Sequence, residues 1–293
     1  MSLNHDPRIS SVAVAVPGPQ HKQSENKVME LLNTVQTRAE FSARELLYGT
    51  RLFFPTRNAY QRVFRRERWL FWKSMLDLYT PFVNGDSLVF DIGANMGLYS
   101  EIFLQLGARV IAVEPNEQCH PQLKRLASGY KMTLEPAACG ARPGKADLHL
   151  SDSSGICTLS SAWVDITRQS DLYADAHWVG VRSVPITTLD ALAVRYGTPT
   201  YIKIDVEGYE DDVLAGMTFK PHSLSFEYHT SLPQVASACL ARLADDYIFN
   251  YIVGNDARFE LPQWVKADEM QHVLSTLPSR PDFGDIYALC CSV

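Results

Sequence analysis

The chain has 293 residues, of which 46% are hydrophobic and 20% charged, and its formal net charge is −6. This is the composition of a folded globular protein, and it excludes wholesale disorder, a collagen-like repeat and a disulfide-stapled miniprotein. The negative net charge disfavours bulk nucleic-acid binding, and the lack of a long apolar run disfavours a membrane-spanning helix.

The N-terminus and the cysteines bear on the compartment. The first residues, MSLNHDPRIS, lack the basic-then-apolar layout of a signal peptide. None of the six cysteines forms a C-x-x-C pair, and the adjacent Cys290 and Cys291 could form only a strained bridge. We therefore expect a cytoplasmic protein with reduced thiols and no cysteine-bound metal.

Residues 1–84 are predicted to be a tail followed by a helical extension. Proline and glycine punctuate residues 1–24, which predicts a tail. From residue 25 to 83, apolar side chains recur three and four positions apart in VMELLNTV, ARELLY and RVFRRERWLFWKSMLDLY, with a break at Phe53-Phe54-Pro55. We expect these helices to form a lid over the functional site or a dimer surface.

From residue 86 the pattern changes to short apolar strands that alternate with helices. The predicted strands are 87–93, 108–115, 131–139, 200–208, 223–229, 247–254 and 285–290. The predicted helices are 97–106, 117–128, 188–196, 209–216 and 233–245. This alternation predicts an α/β domain over residues 85–293, with a parallel sheet covered by helices on both faces. The stretch 141–187 is predicted to be an insertion of two extra strands, ADLHL and VRSVPIT, and a polar loop, SDSSGICTLSSA.

The segment LVFDIGANMGLYSEIFLQLG is the strongest local signal. A strand ends at Asp91, glycines follow at 93 and 97, and a helix begins at once. Glycine permits a tight turn and close approach of a ligand to the backbone. The spacing lacks the third glycine of a dinucleotide fingerprint, and Asp91 would repel a pyrophosphate, so the loop suits a cationic cofactor without phosphate.

Glu114 ends the next strand, in RVIAVEP. A carboxylate at that position can accept hydrogen bonds from both hydroxyls of a ribose. Asp91 alone could be a helix cap and Glu114 alone a surface carboxylate, but acids on two consecutive strand ends together favour a nucleoside site.

At these residues the chain resembles the FkbM family of S-adenosylmethionine-dependent methyltransferases. The resemblance continues through TTLDAL (187–192), YIKIDVEGYEDDVLAGM (201–217) and SFEY (225–228), in the family's order, and it spans about residues 86–230. It implies a class I methyltransferase fold, which is Rossmann-like: a seven-stranded, mostly parallel sheet whose last strand, here DIYALC, runs antiparallel.

The resemblance also implies which residues bind the cofactor. The loop would hold the methionine end of S-adenosylmethionine with Asp91, Gly93, Ala94, Asn95 and Gly97. Glu114 would bind the ribose, and three small residues after the third strand, Ala137, Ala138 and Cys139, would flank the adenine. Small side chains at those three positions are equally what a crowded strand-to-loop junction needs.

The block KIDVEGYE is the candidate catalytic segment. Strand alternation predicts that Lys203, Asp205 and Glu207 lie on one side of the strand 200–208, whose carboxyl end faces the crevice where α/β sheets bind ligands. Ionisable side chains buried there need partners or a ligand. Glu210 can instead cap the helix that begins near Tyr209.

Glu227 and His229 share a face of the neighbouring predicted strand. Methyl transfer to a hydroxyl needs a group that accepts the proton, and histidine can do so near neutral pH. We therefore predict His229 as the base, with Glu227, Asp205 and Glu207 orienting it or the acceptor. A purely structural role for His229 is the alternative. A magnesium ion bound by Asp205, Glu207 and Glu227 is the competing chemistry, and we favour a site without a metal.

These features favour an S-adenosylmethionine-dependent O-methyltransferase that acts on a hydroxyl of a small molecule, a sugar or a polyketide or peptide natural product. One alternative is a nicotinamide-dependent Rossmann oxidoreductase, which Asp91 and the missing glycine disfavour. Another is a catalytically idle module that binds the cofactor. We expect the partner to be a small molecule and neither a nucleic acid nor a membrane. A homodimer that uses the helical extension is compatible with the sequence.

Overall fold

The computed structural model describes residues 46–278 and 282–291. Contacts divide the chain into two units, Met1–Leu47 and Tyr48–Val293, and the elements below belong to the second. The predicted tail and the predicted helical segment VMELLNTV lie outside the described residues. All six cysteines lie inside them, and none is in a disulfide.

Strands and α-helices of the described residues are numbered here in chain order. The strands are β1 (Leu88–Ile92), β2 (Arg109–Val113), β3 (Met132–Glu135), β4 (Ala138–Cys139), β5 (Gly144–Ser151), β6 (Trp178–Thr187), β7 (Tyr201–Ile204), β8 (Ser223–His229), β9 (Tyr247–Val253) and β10 (Phe283–Cys290). The helices are α1 (Phe53–Phe64), α2 (Arg66–Tyr79), α3 (Leu98–Gln105), α4 (His120–Ala127), α5 (Ser161–Gln169), α6 (Leu189–Tyr196), α7 (Glu210–Ala215), α8 (Pro233–Leu243) and α9 (Ala267–Thr276).

Seven strands form the main sheet in the order β3-β2-β1-β7-β8-β10-β9. Strand β10 pairs antiparallel with both β8 and β9, while the other pairs are parallel. The predicted α/β class, with a mostly parallel sheet and an antiparallel last strand, is therefore confirmed. The chain order reverses direction between β1 and β7, so the carboxyl ends of these two strands flank the crevice where such sheets bind ligands.

The central strands are mostly apolar because helices cover both faces of the sheet. In β1, Val89, Phe90 and Ile92 are fully buried. Two charged side chains, Asp91 and Lys203, are nevertheless buried in these strands, which is unusual. They lie near the carboxyl ends of β1 and β7, beside the crevice. Among the described helices, none combines the length and apolarity needed to cross a membrane.

The predicted strand at 131–139 is in fact two strands. Its first half is β3 in the main sheet, and its second half, β4, joins a separate three-stranded sheet with β6 and β5. Strands β5 and β6 contain the two extra strands predicted within the insertion 141–187. The segment that follows the polar loop folds into helix α5, which the sequence analysis did not predict, with Ser160 accepting a hydrogen bond from the Trp163 backbone N–H as its cap. Helix α9 was also not predicted.

The helices at 53–79 pack against the sheet through aromatic side chains. Tyr79, at the end of α2, is fully buried, and its ring lies 5.0 Å from that of Phe103 and 5.8 Å from that of Tyr201. The predicted break lies slightly before Phe53-Phe54-Pro55, because turns and a bend occupy residues 48–52 and Phe53 begins α1, where proline is tolerated in the first turn. A second break, at Arg65, separates α1 from α2. The proposed division at residue 84 and the lid or dimer role stay predictions.

Candidate functional site

The glycine loop after β1 meets the end of β7. Gly93 has a φ of +81°, and a Cβ on it would lie 1.8 Å from the backbone oxygen of Asp205. The loop also takes Asn95 and Gly97 through positive φ. Only a residue without a side chain lets the two strand ends approach this closely, so the glycine at position 93 serves packing as well as any ligand.

Asp91 lies beneath this loop. Its side chain is buried, and its Oδ2 accepts a hydrogen bond of 2.5 Å from the Ser100 hydroxyl on α3. Burial raises the pKa of the carboxyl to about 6, against the lowering effect of Ser100. Its other oxygen, Oδ1, has no hydrogen-bond partner among the described residues.

Glu114 holds the glycine loop from the neighbouring strand end. Its Oε2 accepts a hydrogen bond of 2.7 Å from the backbone N–H of Asn95, and its Oε1 accepts one of 2.7 Å from that of Asn116. Burial raises the pKa of Glu114 to about 7, although these two hydrogen bonds lower it. Each carboxylate oxygen retains a second lone pair that can accept a further hydrogen bond.

A cleft of about 570 Å³ opens beside these residues and is called the glycine-loop cleft here. It brings together predicted cofactor residues from three strand ends: Gly93, Asn95, Glu114, Ala137, Ala138 and Cys139. Ala94 and Gly97 do not line it, because Ala94 faces a second cleft and Gly97 packs on Leu123.

The insertion at 141–187 also lines the glycine-loop cleft. Ser154, Gly155, Cys157 and Thr158 line it, and the sequence analysis assigned none of them to the site. The only signal in the sequence was a glycine in a polar loop, which is common in loops of any function.

Lys203 is fully buried at the end of β7. Its Nζ lies 3.0 Å from Asp205 Oδ2 and 3.0 Å from Asp285 Oδ1, and 4.6 Å from the centroid of the Tyr99 ring. Burial alone would lower the pKa of Lys203, but the carboxylates of Asp205 and Asp285 raise it well above its usual value. Lys203 therefore stays charged and holds both aspartates in place.

Asp285 is a site residue that the sequence analysis missed. It lies on the last strand directly opposite Glu227 of β8, and its only signal was an acid in an otherwise apolar strand.

Glu207, Glu227 and His229 form a second polar cluster, called the Glu–Glu–His cluster here. His229 Nε2 lies 3.1 Å from Glu227 Oε2 and 3.4 Å from Glu207 Oε2. The ring of Trp163, from the insertion, packs on the imidazole with centroids 3.9 Å apart. Burial alone would lower the pKa of His229, but the two glutamates raise it well above its usual value.

Glu207 reaches this cluster by a turn and not by strand alternation. Strand β7 ends at Ile204, and Glu207 has a φ of +59°, so the prediction that it continues the face of Lys203 is wrong. The turn is held from two sides. The Thr158 hydroxyl donates a hydrogen bond of 2.7 Å to the Glu207 backbone oxygen, and Glu210 Oε1 accepts from the backbone N–H groups of Val206 and Gly208.

A second cleft, of about 690 Å³, adjoins the first and is called the aspartate cleft here. Three carboxylate residues line it: Asp205, Glu227 and Asp285. Gly93, Asn95 and Asp205 line both clefts. Two ligands bound in the two clefts would therefore meet at Asp205 and the glycine loop.

The Glu–Glu–His cluster is not the same set of residues as the ligands in the competing magnesium hypothesis, which were Asp205, Glu207 and Glu227. Each member of the Glu–Glu–His cluster offers one ligand atom, and the three atoms lie within 4.8 Å of one another. Asp205, a ligand in the competing magnesium hypothesis, accepts a hydrogen bond from Lys203.

Comparison with solved structures finds distant similarity. A precorrin-6y C5,15-methyltransferase from Geobacter metallireducens GS-15 is 13% identical, with 73% of this chain and 86% of that chain covered and a TM-score of 0.35. A Streptococcus mutans protein solved in complex with SAH is 9% identical (73% and 94% covered, TM-score 0.34). The tRNA (m1A58) methyltransferase TrmI from Aquifex aeolicus is 10% identical (76% and 69% covered, TM-score 0.35). No curated protein matches the chain by sequence.

The sequence model of the methyltransferase FkbM domain matches residues 91–279, more than half of the chain. The match contains the glycine loop, Glu114, the KIDVEGYE block and both members of the Glu–Glu–His cluster on β8. The chain belongs to the FkbM methyltransferase family.

Proposed function

We propose that the protein transfers the methyl group of S-adenosylmethionine to a hydroxyl of a small molecule, such as a sugar or a polyketide or peptide natural product. The observation that carries this proposal is the junction of the two clefts at Asp205, with the Glu–Glu–His cluster beside it. Methyl transfer needs the two reactants in line and a group that receives the proton of the hydroxyl.

The glycine-loop cleft suits S-adenosylmethionine better than a dinucleotide. Among the described residues, its lining contains Glu114, Asp205 and Glu207 and no lysine or arginine. This donor set favours a cation and would repel a pyrophosphate. When bound, S-adenosylmethionine supplies an electrophilic methyl group on a positively charged sulfur. Glu114 would accept hydrogen bonds from the ribose, and Gly93 and Asn95 would lie against the methionine end.

The aspartate cleft is the proposed acceptor site. Carboxylates accept hydrogen bonds from hydroxyl groups, and three of them line this cleft. Lys203 keeps Asp205 and Asp285 in position. Glu227 lines the cleft and contacts His229, so we assign removal of the hydroxyl proton to the Glu–Glu–His cluster, with Glu227 nearest the acceptor.

Cofactor binding is the first test. Thermal stability of the full chain is measured with S-adenosylmethionine, with S-adenosylhomocysteine and with NAD(H). We expect stabilisation by the first two, because saturating ligand stabilises the folded state. Stabilisation by NAD(H) alone would favour the oxidoreductase alternative and refute the proposal.

Transfer of the methyl group is the second test. Labelled methyl from S-adenosylmethionine is followed into a panel of hydroxylated acceptors with the wild type, Asp205→Ala and His229→Ala. We expect product with at least one acceptor, and losses of roughly 100-fold or more in both variants while cofactor binding persists. Unchanged rates in both variants would contradict the assigned roles. Cofactor binding without transfer to any acceptor would indicate the idle module.

A further inference from the structure

We propose that Glu207, Glu227 and His229 bind a divalent transition-metal ion, with Zn²⁺ or Mn²⁺ as the class that fits. Binding of the ion stands on the geometry of this cluster alone. Its role toward the acceptor rests on the proposed function.

The separations of the ligand atoms match a metal site. Metal–nitrogen and metal–oxygen bonds of about 2.0 to 2.2 Å, at angles between those of octahedral and tetrahedral sites, place neighbouring donor atoms roughly 2.9 to 3.5 Å apart. His229 Nε2 lies 3.1 Å from Glu227 Oε2 and 3.4 Å from Glu207 Oε2. Two of the three donor–donor distances therefore match those of a metal site, and all three ligand atoms lie within 4.8 Å of one another.

Hydrogen bonding does not account for the cluster. His229 is only 4% exposed, and its Nε2 meets Glu227 Oε2 and Glu207 Oε2 at ion-pair distance without hydrogen-bond geometry, while its Nδ1 has no hydrogen-bond partner within the part of the chain that the structure describes. Burying polar groups without such partners is costly. A cation bound between the carboxylates and Nε2 would satisfy Nε2 and Glu227 Oε2.

The charges point to a divalent ion. Lys203 pairs with Asp205 and Asp285, and the ion pairs among the described residues give Glu207 and Glu227 no basic partner other than His229. Two carboxylates and a neutral imidazole neutralise one divalent cation. Imidazole suits zinc and iron sites and carboxylates also suit manganese, whereas magnesium and calcium are bound by oxygen ligands, so the ligand set favours a transition metal.

The ligands are also held before any ion arrives. Trp163 packs on the His229 ring, and Thr158 and Glu210 fix the turn that carries Glu207. Such supporting contacts orient metal ligands and strengthen binding.

Three protein ligands leave a coordination position open, as in catalytic zinc sites. Glu227 lines the aspartate cleft and Glu207 lines the glycine-loop cleft, so the cluster borders both proposed reactant sites. A hydroxyl oxygen bound to the ion would be a stronger acid than a free one, which is the role we assign to the metal.

Cobalt(II) is the probe for binding. The full-length protein is stripped with a chelator and titrated with Co²⁺, and the visible absorption reports coordination by protein ligands. We expect one equivalent to bind with the intense absorption of a four- or five-coordinate site, Zn²⁺ to displace it, and Mg²⁺ not to.

Three variants locate the site. His229→Gln and Glu207→Gln should each weaken Co²⁺ binding by more than about 100-fold, since loss of a ligand exceeds the effect of losing a supporting contact. The matched control, Glu117→Gln, removes an exposed glutamate that pairs with Arg182 and should bind like the wild type. A far-UV circular dichroism spectrum and a cooperative thermal transition like those of the wild type verify that each variant is folded. If His229→Gln does not fold, Glu207→Gln carries the test, because its side chain is partly exposed.

Absence of stoichiometric Co²⁺ binding, or equal binding in the folded ligand variants and the control, would overturn the metal site. Failure of the metal site and failure of the proposed function are separable. Methyl transfer by the stripped enzyme at the wild-type rate refutes a catalytic metal while the methyltransferase stands. Metal binding without methyl transfer to any acceptor leaves the site but refutes the proposed function.

Discussion

Single side chains at the site combine structural and chemical roles, and Glu114 illustrates this. Its carboxylate holds the glycine loop through Asn95 and Asn116, and it lines the cleft proposed for the cofactor. One buried group therefore shapes the binding loop and faces the ligand.

Binding of S-adenosylhomocysteine should strengthen as pH rises through about 7. Burial raises the pKa of Glu114 to about 7, so the carboxyl is neutral below that pH and ionised above it, and the ionised form is the stronger acceptor for ribose hydroxyls. The dissociation constant measured by calorimetry between about pH 6 and pH 8 tests this. Glu114→Gln should bind roughly tenfold more weakly and lose the pH dependence, while Glu117→Gln keeps it. A pH-independent affinity in the wild type would contradict the role of Glu114.

Lys203 forms ion pairs with the carboxylates of Asp205 and Asp285. Lys203→Met removes the only cation that contacts Asp205 and Asp285 among the described residues, so we expect a loss of about 3 to 5 kcal/mol in unfolding free energy. Urea unfolding measures it. The control Lys73→Met, in an exposed pair with Asp77, should change stability by less than about 0.5 kcal/mol. If Lys203→Met lost as little unfolding free energy as Lys73→Met, Asp205 and Asp285 would have to be neutral in the folded protein.

Among the elements, the loop after β1 shows how two strands constrain one residue. Gly93→Ala introduces a Cβ at a φ of +81° and 1.8 Å from the Asp205 backbone oxygen. We expect a loss of roughly 3 kcal/mol or more, together with weaker cofactor binding because the β1 and β7 ends must separate.

Gly85→Ala is the matched control for Gly93→Ala. A Cβ at Gly85 would have nothing within 4 Å, so its melting temperature should stay close to that of the wild type. Equal melting temperatures for the two variants would mean that the loop adapts to a side chain.

At the scale of the whole molecule, the end of helix α2 and the segment after it pack against the main sheet. Tyr79 and Phe82 contact rings from β7 and β10, with Phe82 stacked on Tyr287 at 5.8 Å. The predicted domain boundary at residue 84 would separate Tyr79 and Phe82 from the rings that they contact in the sheet.

Two truncations test that division. A chain that begins at Tyr48 should unfold cooperatively near the wild-type melting temperature, because it keeps the whole unit Tyr48–Val293. A chain that begins at Gly85 should be insoluble or melt far lower, because it exposes the aromatic cluster around Tyr201 and Tyr287; loss of a single buried aromatic side chain costs about 3 to 5 kcal/mol. Equal stability of the two chains would support the predicted boundary at 84.

The sequence by itself determined the class of fold, the strands of the main sheet and the motifs at their carboxyl ends. These follow from local information: apolar runs indicate buried strands, and glycines and acids at strand ends mark the ligand edge. Asp91, Glu114, Asp205, Glu227 and His229 could be found in this way because each lies at or beside a strand end.

Only the tertiary structure decided which of these side chains meet. Lys203 pairs with Asp285, 82 residues away, because strand order brings β10 beside β8. Glu207 turns toward His229 through a left-handed conformation, and Trp163 arrives from an insertion to pack on the same ring. Such contacts depend on the order of strands and on the path of loops, and no short-range pattern encodes them. The local signals therefore indicated a nucleoside site, while the Lys203 ion pairs and the Glu–Glu–His cluster required the folded chain.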